Sequence, residues 1–355
     1  MKRWFVFAAL ALITVAAATN QDKIALRLLN IGLDKNMGQD RTSEFTDGLH
    51  LGLCGAGGPL PAPKASGPCI VVTAGERHFV FDAGTDGVRN LIRMGYPVGK
   101  IEAVFLTHFH SDHIDGLGEL ATLRWVNAAN ETPLPVFGPT GVNQIVAGFN
   151  MAYQLDSQYR HAHHGDTVAP LSGAGMVARV FNKPEQGVST DLIKEPNLRI
   201  SAFAVDHSPV DPAVGYKVEY KDRSLVITGD TIKSQNIIDQ ARNVDLLAHE
   251  ALASNLVKLM NQTAAQKGLS VLQKVTSDIP DYHATPMDAA ETAKEAGVGH
   301  LLYYHIVPPL IIPGQQGLFL NGADAVFKDY TVGVDGVVIS LPAGGKEIKM
   351  TSSGL

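Results

Sequence analysis

A chain of 355 residues, 45% hydrophobic and 18% charged, has room for a sizeable core and the composition of a folded soluble protein. Its formal net charge of -6 is spread without any block rich in Lys or Arg. A protein that lives on the nucleic-acid backbone would carry a basic stripe, so composition argues against that class.

The N-terminus reads as an address. Lys2-Arg3 precede an apolar run from Trp4 to Val15, and Ala16-Ala17-Ala18 supplies the small-residue pattern of a cleavage site. The run falls short of the roughly 20 apolar residues that span a bilayer. A signal peptide over residues 1–18 is therefore expected, with a single domain over 19–355 delivered to the periplasm or beyond and no membrane span after cleavage. An uncleaved N-terminal anchor is the alternative.

Along the mature chain, Ile24 to Ile31 and Leu49 to Leu53 read as strands. Cys69 to Thr73 and His78 to Phe81 form a predicted hairpin whose second arm ends in Asp82-Ala83-Gly84. The only cysteines, Cys54 and Cys69, flank a Gly/Pro-rich loop over residues 55–68. In an oxidising compartment they can pair and clamp that loop; two buried free thiols are the other reading. Val88 to Met94 has helical spacing and stops at Gly95-Tyr96-Pro97. Then come a buried strand at Ala103 to Leu106, a helix from Leu117 to Val126, a strand at Pro135 to Pro139 and a helix from Gly141 to Met151. Further strands are predicted at Leu198 to Val205, Val214 to Glu219, Leu225 to Thr228, Leu246 to Ala248 and His300 to Tyr304. Pro286 to Ala296 is a helix closed by Gly297, and Val337 to Leu341 reads as the last strand. Strands, then β/α units, then the same again predict an α/β fold: a four-layer αββα sandwich of two mixed sheets.

The chemistry concentrates in Thr107-His108-Phe109-His110-Ser111-Asp112-His113, followed by Ile114-Asp115-Gly116. His108, His110, Asp112 and His113 lie just past a strand end, on a turn where side chains converge. Imidazoles and a carboxylate at that density suit zinc or another borderline divalent ion. Other polar residues follow apolar runs in the same way: His207 after Val205, Asp230 in Gly229-Asp230-Thr231, His249-Glu250 after Ala248, His283 before a helix, and His305 after Tyr304. Loops at strand ends are where sites gather, so one assembled centre is expected. His161, His163 and His164 could line its mouth or lie in a solvated loop, and His50, His78 and His300 read as structural or surface residues.

These residues resemble the metallo-β-lactamase fold superfamily, specifically its ribonuclease Z-like branch. The matching positions are Asp82-Ala83-Gly84, Thr107 to Gly116, His207 with Gly215-Tyr216, Gly229-Asp230-Thr231, His249-Glu250-Ala251, His283-Ala284-Thr285 and His305. The resemblance implies two zinc ions, with manganese or iron as other occupants of such ligands. One would be held by His108, His110 and His207, the other by Asp112, His113 and His305, and Asp230 would bridge them. A water deprotonated between the two would be the nucleophile, with Asp112 holding its proton. His283 would protonate the leaving oxygen, oriented by Glu250 or by His249, and Asp82 would fix the ligand loop without touching metal.

The substrate expectation is drawn from a difference. The tRNA-processing members of the branch carry a long Gly/Pro-rich arm between the third metal-binding His and the Gly-Asp-Thr turn. Here Gly215 to Tyr220 passes through Lys221-Asp222-Arg223-Ser224 straight into Leu225. With the acidic balance and the export signal, this leads to an exported dinuclear zinc hydrolase of small sulfate or phosphate esters, of arylsulfatase or phosphodiesterase type. A small-molecule ester substrate, no stable nucleic-acid partner and, since relatives often pair, a homodimer are the partner expectations. A ribonuclease Z-type tRNA 3′ endonuclease, a lactonase or β-lactamase, and a periplasmic zinc-binding scaffold are the alternatives.

Overall fold

The computed structural model describes residues 20–355, so the signal segment expected over 1–18 lies outside the described residues. The first element, α1 (Gln21–Asn36), belongs to a unit of its own, and none of its residues is buried. It replaces the strand expected at Ile24 to Ile31. Ile24, Leu26 and Leu28 do alternate as in a strand. Ala25, Leu26, Arg27, Leu28 and Leu29 are nevertheless good helix formers, and a helix satisfies its backbone groups without a neighbouring strand.

From Arg41 onward the chain builds two mixed β-sheets. The first contains β1 (Gly48–Gly55), β2 (Cys69–Ala74), β3 (Arg77–Phe81), β4 (Ile101–Phe105), β5 (Leu134–Pro139), β6 (Met176–Phe181), β14 (Val337–Pro342) and β15 (Lys349–Ser352), in the order β15-β14-β1-β2-β3-β4-β5-β6. The second contains β7 (Ser189–Lys194), β8 (Leu198–Ala204), β9 (Val214–Tyr220), β10 (Arg223–Ile227), β11 (Leu246–Leu252), β12 (His300–Val307) and β13 (Tyr330–Val332), in the order β13-β12-β11-β10-β9-β8-β7.

Alternation along each strand separates two faces. Leu49, Leu51 and Leu53 of β1 join Ile200, Ala202, Tyr216, Leu225, Ile227 and Ala248 of the second sheet in one buried cluster, so the sheets pack face to face. Their intervening neighbours look outward. Val71, Val80 and Val104 meet Leu91, Leu117 and Leu120 of the helices Gly87–Arg93 and Leu117–Asn127. Phe203, Val226 and Leu247 meet Ile237, Ala289 and Ala293 of Gln235–Gln240 and Pro286–Ala296. The architecture is the predicted αββα sandwich.

Within the first sheet β3, β4, β5 and β6 run parallel, and within the second β10, β11, β12 and β13 do. Parallel strands present their C-terminal ends on one side, and that is where the polar turns lie. The Tyr216 hydroxyl crosses between the sheets to donate to the Leu106 carbonyl at 2.5 Å, and Val214 N–H donates to the Thr107 carbonyl at 3.0 Å. The start of the His-rich turn is thereby tied to the opposite sheet. Cys54 and Cys69 form a disulfide, which resolves the choice left open by the sequence.

Candidate metal centre

The His-rich segment leaves β4 in a short loop and enters a one-turn helix, Ser111–Ile114. The loop carries His108 and His110, and the helical turn carries Asp112 and His113. Asp82 anchors it from the end of β3. One carboxylate oxygen accepts from Thr107 N–H at 2.8 Å, the other from the Thr107 hydroxyl and from His113 Nδ1, each at 2.8 Å. Ala83 N–H donates to the His113 carbonyl at 2.8 Å, and Gly116 N–H to Ala83 at 2.7 Å. Gly84 must be small here, because a Cβ would stand 2.3 Å from the Asp112 carbonyl oxygen. Asp82 thereby fixes the ring whose other nitrogen faces the centre.

The second sheet supplies the remaining groups. His207 follows β8 and its Nδ1 pairs with the Tyr282 carbonyl at 2.8 Å. Asp230 closes the turn after β10. His305 lies in β12 beside a register shift between β11 and β12, with its backbone in the left-handed region at φ 45. That local irregularity aims a strand residue into the site.

These side chains converge. Ligand atoms of His108, His110, His207 and Asp230 lie within 4.8 Å of one another, as do those of Asp112, His113 and His305. Asp230 stands between the groups: Oδ1 is 3.4 Å from His113 Nε2, while Oδ2 is 3.4 Å from His305 Nε2 and 3.8 Å from both His108 Nε2 and His207 Nε2. His108 Nε2 and His110 Nδ1 approach to 3.0 Å, and His305 Nε2 lies 3.3 Å from Asp112 Oδ2. Buried His113 Nε2, His207 Nε2 and Asp230 Oδ1 have no hydrogen-bond partner among the described residues. An unsatisfied buried polar atom costs roughly 1–3 kcal/mol, and inward-facing nitrogens and oxygens that lack partners fit a divalent cation. The donor set thus suits metal, and the cluster can hold it in two adjoining positions.

The electrostatics divide the donor set: against burial, the Asp230 carboxylate pushes His113 well up and His305 up, toward their charged forms, while Asp230, His108, His110 and His207 shift down. Burial pushes the Asp230 carboxyl up, but the His305 and His113 imidazoles more than reverse this and hold it well below the usual carboxylate range. Burial depresses His108 well below the ordinary imidazole range and lowers His110 and His207 as well. A neutral imidazole is the form that ligates metal.

His283 borders the same cavity but is held differently. Its Nδ1 lies 2.9 Å from Glu250 Oε1, which also accepts from Thr231 N–H at 2.9 Å and Ala284 N–H at 3.3 Å. Burial opposes its charged form, yet the Glu250 carboxylate outweighs burial and brings His283 up to about 9. Of the two partners left open by the sequence, Glu250 is the one placed against His283. The His249 ring instead turns to the Glu250 carbonyl, with Nδ1 at 2.8 Å.

Other histidines stand apart. His161 lies in the last turn of the long helix Val142–His164 with Nδ1 2.9 Å from the Ala169 carbonyl, and His163 and His164 are exposed; none of the three lines the cavity. His50 pairs with Ser340 and the Thr46 carbonyl, His78 with Thr73, and His300 with Thr331, all structural roles. The sequence reading missed the apolar side of the cavity, formed partly by Leu252, Met260, Leu272 and Val275. The helices Ser254–Gln266 and Ser270–Asp278 carry it. Apolar residues at Leu256, Val257, Met260 and Ala264 have helical spacing that could have revealed the first of them.

Comparison with known proteins places this geometry. A family model described as the metallo-beta-lactamase superfamily matches residues 63–265. A protein named ribonuclease Z from Mycobacterium sp. (strain KMS) is 34% identical over 269 residues, covering 76% of this chain and 87% of its own. Among solved structures, the metallo-beta-lactamase fold protein YhfI from Bacillus subtilis covers 83% of this chain and 100% of its own, with a TM-score of 0.58 and 20% identity. Human tRNase Z, short form, covers 82% and 99%, with a TM-score of 0.58 and 20% identity. The ribonuclease Z likeness corrects the expectation of an arylsulfatase or small-ester phosphodiesterase, and with it the expectation of a small-molecule substrate and no nucleic-acid partner. The short β9–β10 hairpin, from which that expectation was drawn, coexists with 34% identity to ribonuclease Z across most of the chain, so a missing arm does not separate this protein from that group. The chain belongs to the metallo-beta-lactamase superfamily, in its ribonuclease Z-like branch.

Proposed function

We propose that this protein is a metal-dependent endoribonuclease that hydrolyses RNA phosphodiesters in the manner of ribonuclease Z. The observation that carries the reading is a seven-residue donor cluster beside a His283–Glu250 pair, in a chain that aligns with ribonuclease Z over most of its length. His108, His110 and His207 would hold one cation, Asp112, His113 and His305 a second, and Asp230 both. The nitrogen-rich donor set favours zinc. Bound there, the pair of cations supplies Lewis acidity and a water of lowered pKa.

The chain's own groups supply the rest. Asp112, partly exposed to the cavity, is placed to receive a proton from attacking water. His283 keeps Nδ1 on Glu250, which leaves Nε2 to give a proton to the departing 3′ oxygen. Glu250 is fully buried and anchored by backbone N–H groups, so it orients that imidazole without meeting substrate.

The N-terminal pattern and the Cys54–Cys69 disulfide support an exported protein with residues 1–18 removed, since disulfides persist in oxidising compartments. Cell fractionation with N-terminal sequencing tests this: a mature chain starting near Thr19 outside the cytoplasm is expected, and an intact cytoplasmic chain would refute it. For the activity, zinc-loaded protein is incubated with precursor tRNA at physiological salt. Chelator-sensitive release of a 3′ trailer is the expected result. Protein that carries two zinc ions yet cuts no RNA would overturn the proposal.

A further inference from the structure

The cavity over the donor cluster, about 290 Å³ in volume, is two-sided. Its floor is ionic, with His110, Asp112, Asp230, His283 and His305. The rest of its lining is mainly apolar, and the helix pair Ser254–Gln266 and Ser270–Asp278 gives it Met260, Leu272 and Val275 together with Thr276. Among the described residues, no Lys or Arg lines the cavity. Phosphate binding there must rest on the floor, and the helix pair offers nothing to an anion.

Leu272 is 38% and Val275 47% exposed, so apolar surface is left facing the space next to the reacting centre. Thr276 is the one polar residue the pair gives to this lining, and its hydroxyl is already committed. It donates to the Leu272 carbonyl at 2.8 Å and accepts from Asn261 Nδ2 at 3.0 Å. Tyr282, whose ring lies 5.0 Å from that of His207, borders the same space. The volume lies at the small end of ligand sites, which run from roughly 300 to 1,000 Å³.

Resting on the RNA reading above, we infer that this helix pair is a base-binding wall. It seats one unstacked nucleobase attached to the scissile phosphodiester and reads its planar apolar face without reading its identity. A neutral aromatic ring matches an apolar wall that lacks a free donor, acceptor or charge. The covalent link from base through ribose to phosphate accounts for the wall and the ionic floor sharing one cavity. Residues Leu272 and Val275 thus determine substrate affinity without taking part in the proton transfers.

The test uses zinc-loaded full-length protein and single-stranded RNA oligonucleotides that differ at the nucleotides flanking the cut. All four bases should give similar KM values. An abasic ribose should raise KM roughly tenfold, the loss of about one stacked base, and an apolar base lacking hydrogen-bonding groups, 5-nitroindole, should restore it. Val275→Asp and Leu272→Asp should raise KM on intact RNA by a similar factor with kcat within about twofold, while Val275→Ile stays near wild type. Zinc content and thermal midpoint serve as controls for folding.

Unchanged KM in both aspartate variants, or an abasic substrate bound as well as the intact one, would overturn the inference. If the wild type cuts no RNA at all, the RNA reading fails and the base assignment with it. The wall is then judged separately by the same variants on bis(p-nitrophenyl) phosphate, where equal KM values would remove it as an apolar subsite.

Discussion

Asp82 shows how much of a metal centre is decided by a residue that has no place in the donor set. Its carboxylate collects the Thr107 backbone, the Thr107 hydroxyl and His113 Nδ1 in a fully enclosed position. Replacing it with Asn exchanges one acceptor oxygen for an NH₂ group, so one of these bonds must break while the volume stays the same. Asp82→Asn should fold but bind zinc about 10–100-fold more weakly, as measured by competition with a chromophoric chelator; unchanged affinity would show that the ring is held by packing alone. His283 makes the opposite case, since it touches the cavity but belongs to the Glu250 pair. Zinc-loaded His283→Ala should hold as much zinc as the wild type and lose about 10²–10⁴ in rate on substrates with poor leaving groups. Activated aryl esters, whose leaving oxygen needs no proton, should suffer far less. Equal losses on both kinds of substrate would remove His283 as the proton donor.

At the scale of elements, the turns after the strands do the positioning, and they tolerate little change. Gly229 sits between β10 and Asp230 at φ +64, and a Cβ there would come within 2.8 Å of the Thr107 side chain. Gly229→Ala combines a left-handed backbone, worth about 1–2 kcal/mol for a residue with a Cβ, with a clash against the opposite ligand turn. A lower urea midpoint together with weaker zinc retention is expected; a lower midpoint with normal zinc would mean that Asp230 is indifferent to the turn.

These turns were legible in the sequence because each follows a short apolar strand and ends in a ligand-type residue. The seven donor-type residues singled out in the sequence are brought together by the fold, and His283 also comes within reach of Asp230 and His305. The elements that sequence reading missed lack that contrast. The helix expected at Gly141 to Met151 continues to His164, because Ala152, Gln154, Leu155 and Gln158 are good helix formers although Met151, Leu155 and Tyr159 face solvent. Strands β6 and β7 were not predicted, and outside Met176 their side chains are only half buried or exposed, which blurs the alternation that marks a strand. The last strand was placed at Val337 to Leu341, but β15 follows it as a fully exposed edge of Lys, Met, Thr and Ser. The substrate class was not legible for a different reason: a missing arm is an absence, and it counts for less than positive likeness to ribonuclease Z across 76% of the chain.

For the molecule as a whole, the centre is also a fastener between the sheets. His108, His110, Asp112 and His113 come from the turn after β4 in one sheet, while His207, Asp230 and His305 come from the other. A cation that binds only the folded chain stabilises it by RT ln(1 + [L]/Kd), about 4 kcal/mol when the free ion exceeds its dissociation constant a thousandfold. The folded body has a second tether beside the centre. Its disulfide closes a loop of sequence separation 15, worth about 3 kcal/mol by chain entropy. Within that loop's reach, Asp335 accepts from Ala56 and Ser66 N–H groups at 2.8 Å each. Metal and disulfide act on adjoining parts of the structure, because the clamped loop packs on the centre: Gly58 abuts the His305 ring, Ile306 N–H donates to the Ala56 carbonyl at 2.9 Å, and Pro59 and Leu60 line the cavity. Their effects should therefore couple. Chelation should lower the denaturation midpoint of the wild type by several degrees but by less in a Cys54→Ala/Cys69→Ala variant, whose loosened loop holds His305 less firmly; equal shifts would show that the loop does not support the centre. On the proposed assignment of Asp230 to both positions, Asp230→Ala should retain little added zinc and respond little to chelator. A chelator shift in Asp230→Ala as large as in the wild type would mean that the two donor sets do not share that carboxylate, and the sheets would then be joined by separate mononuclear sites.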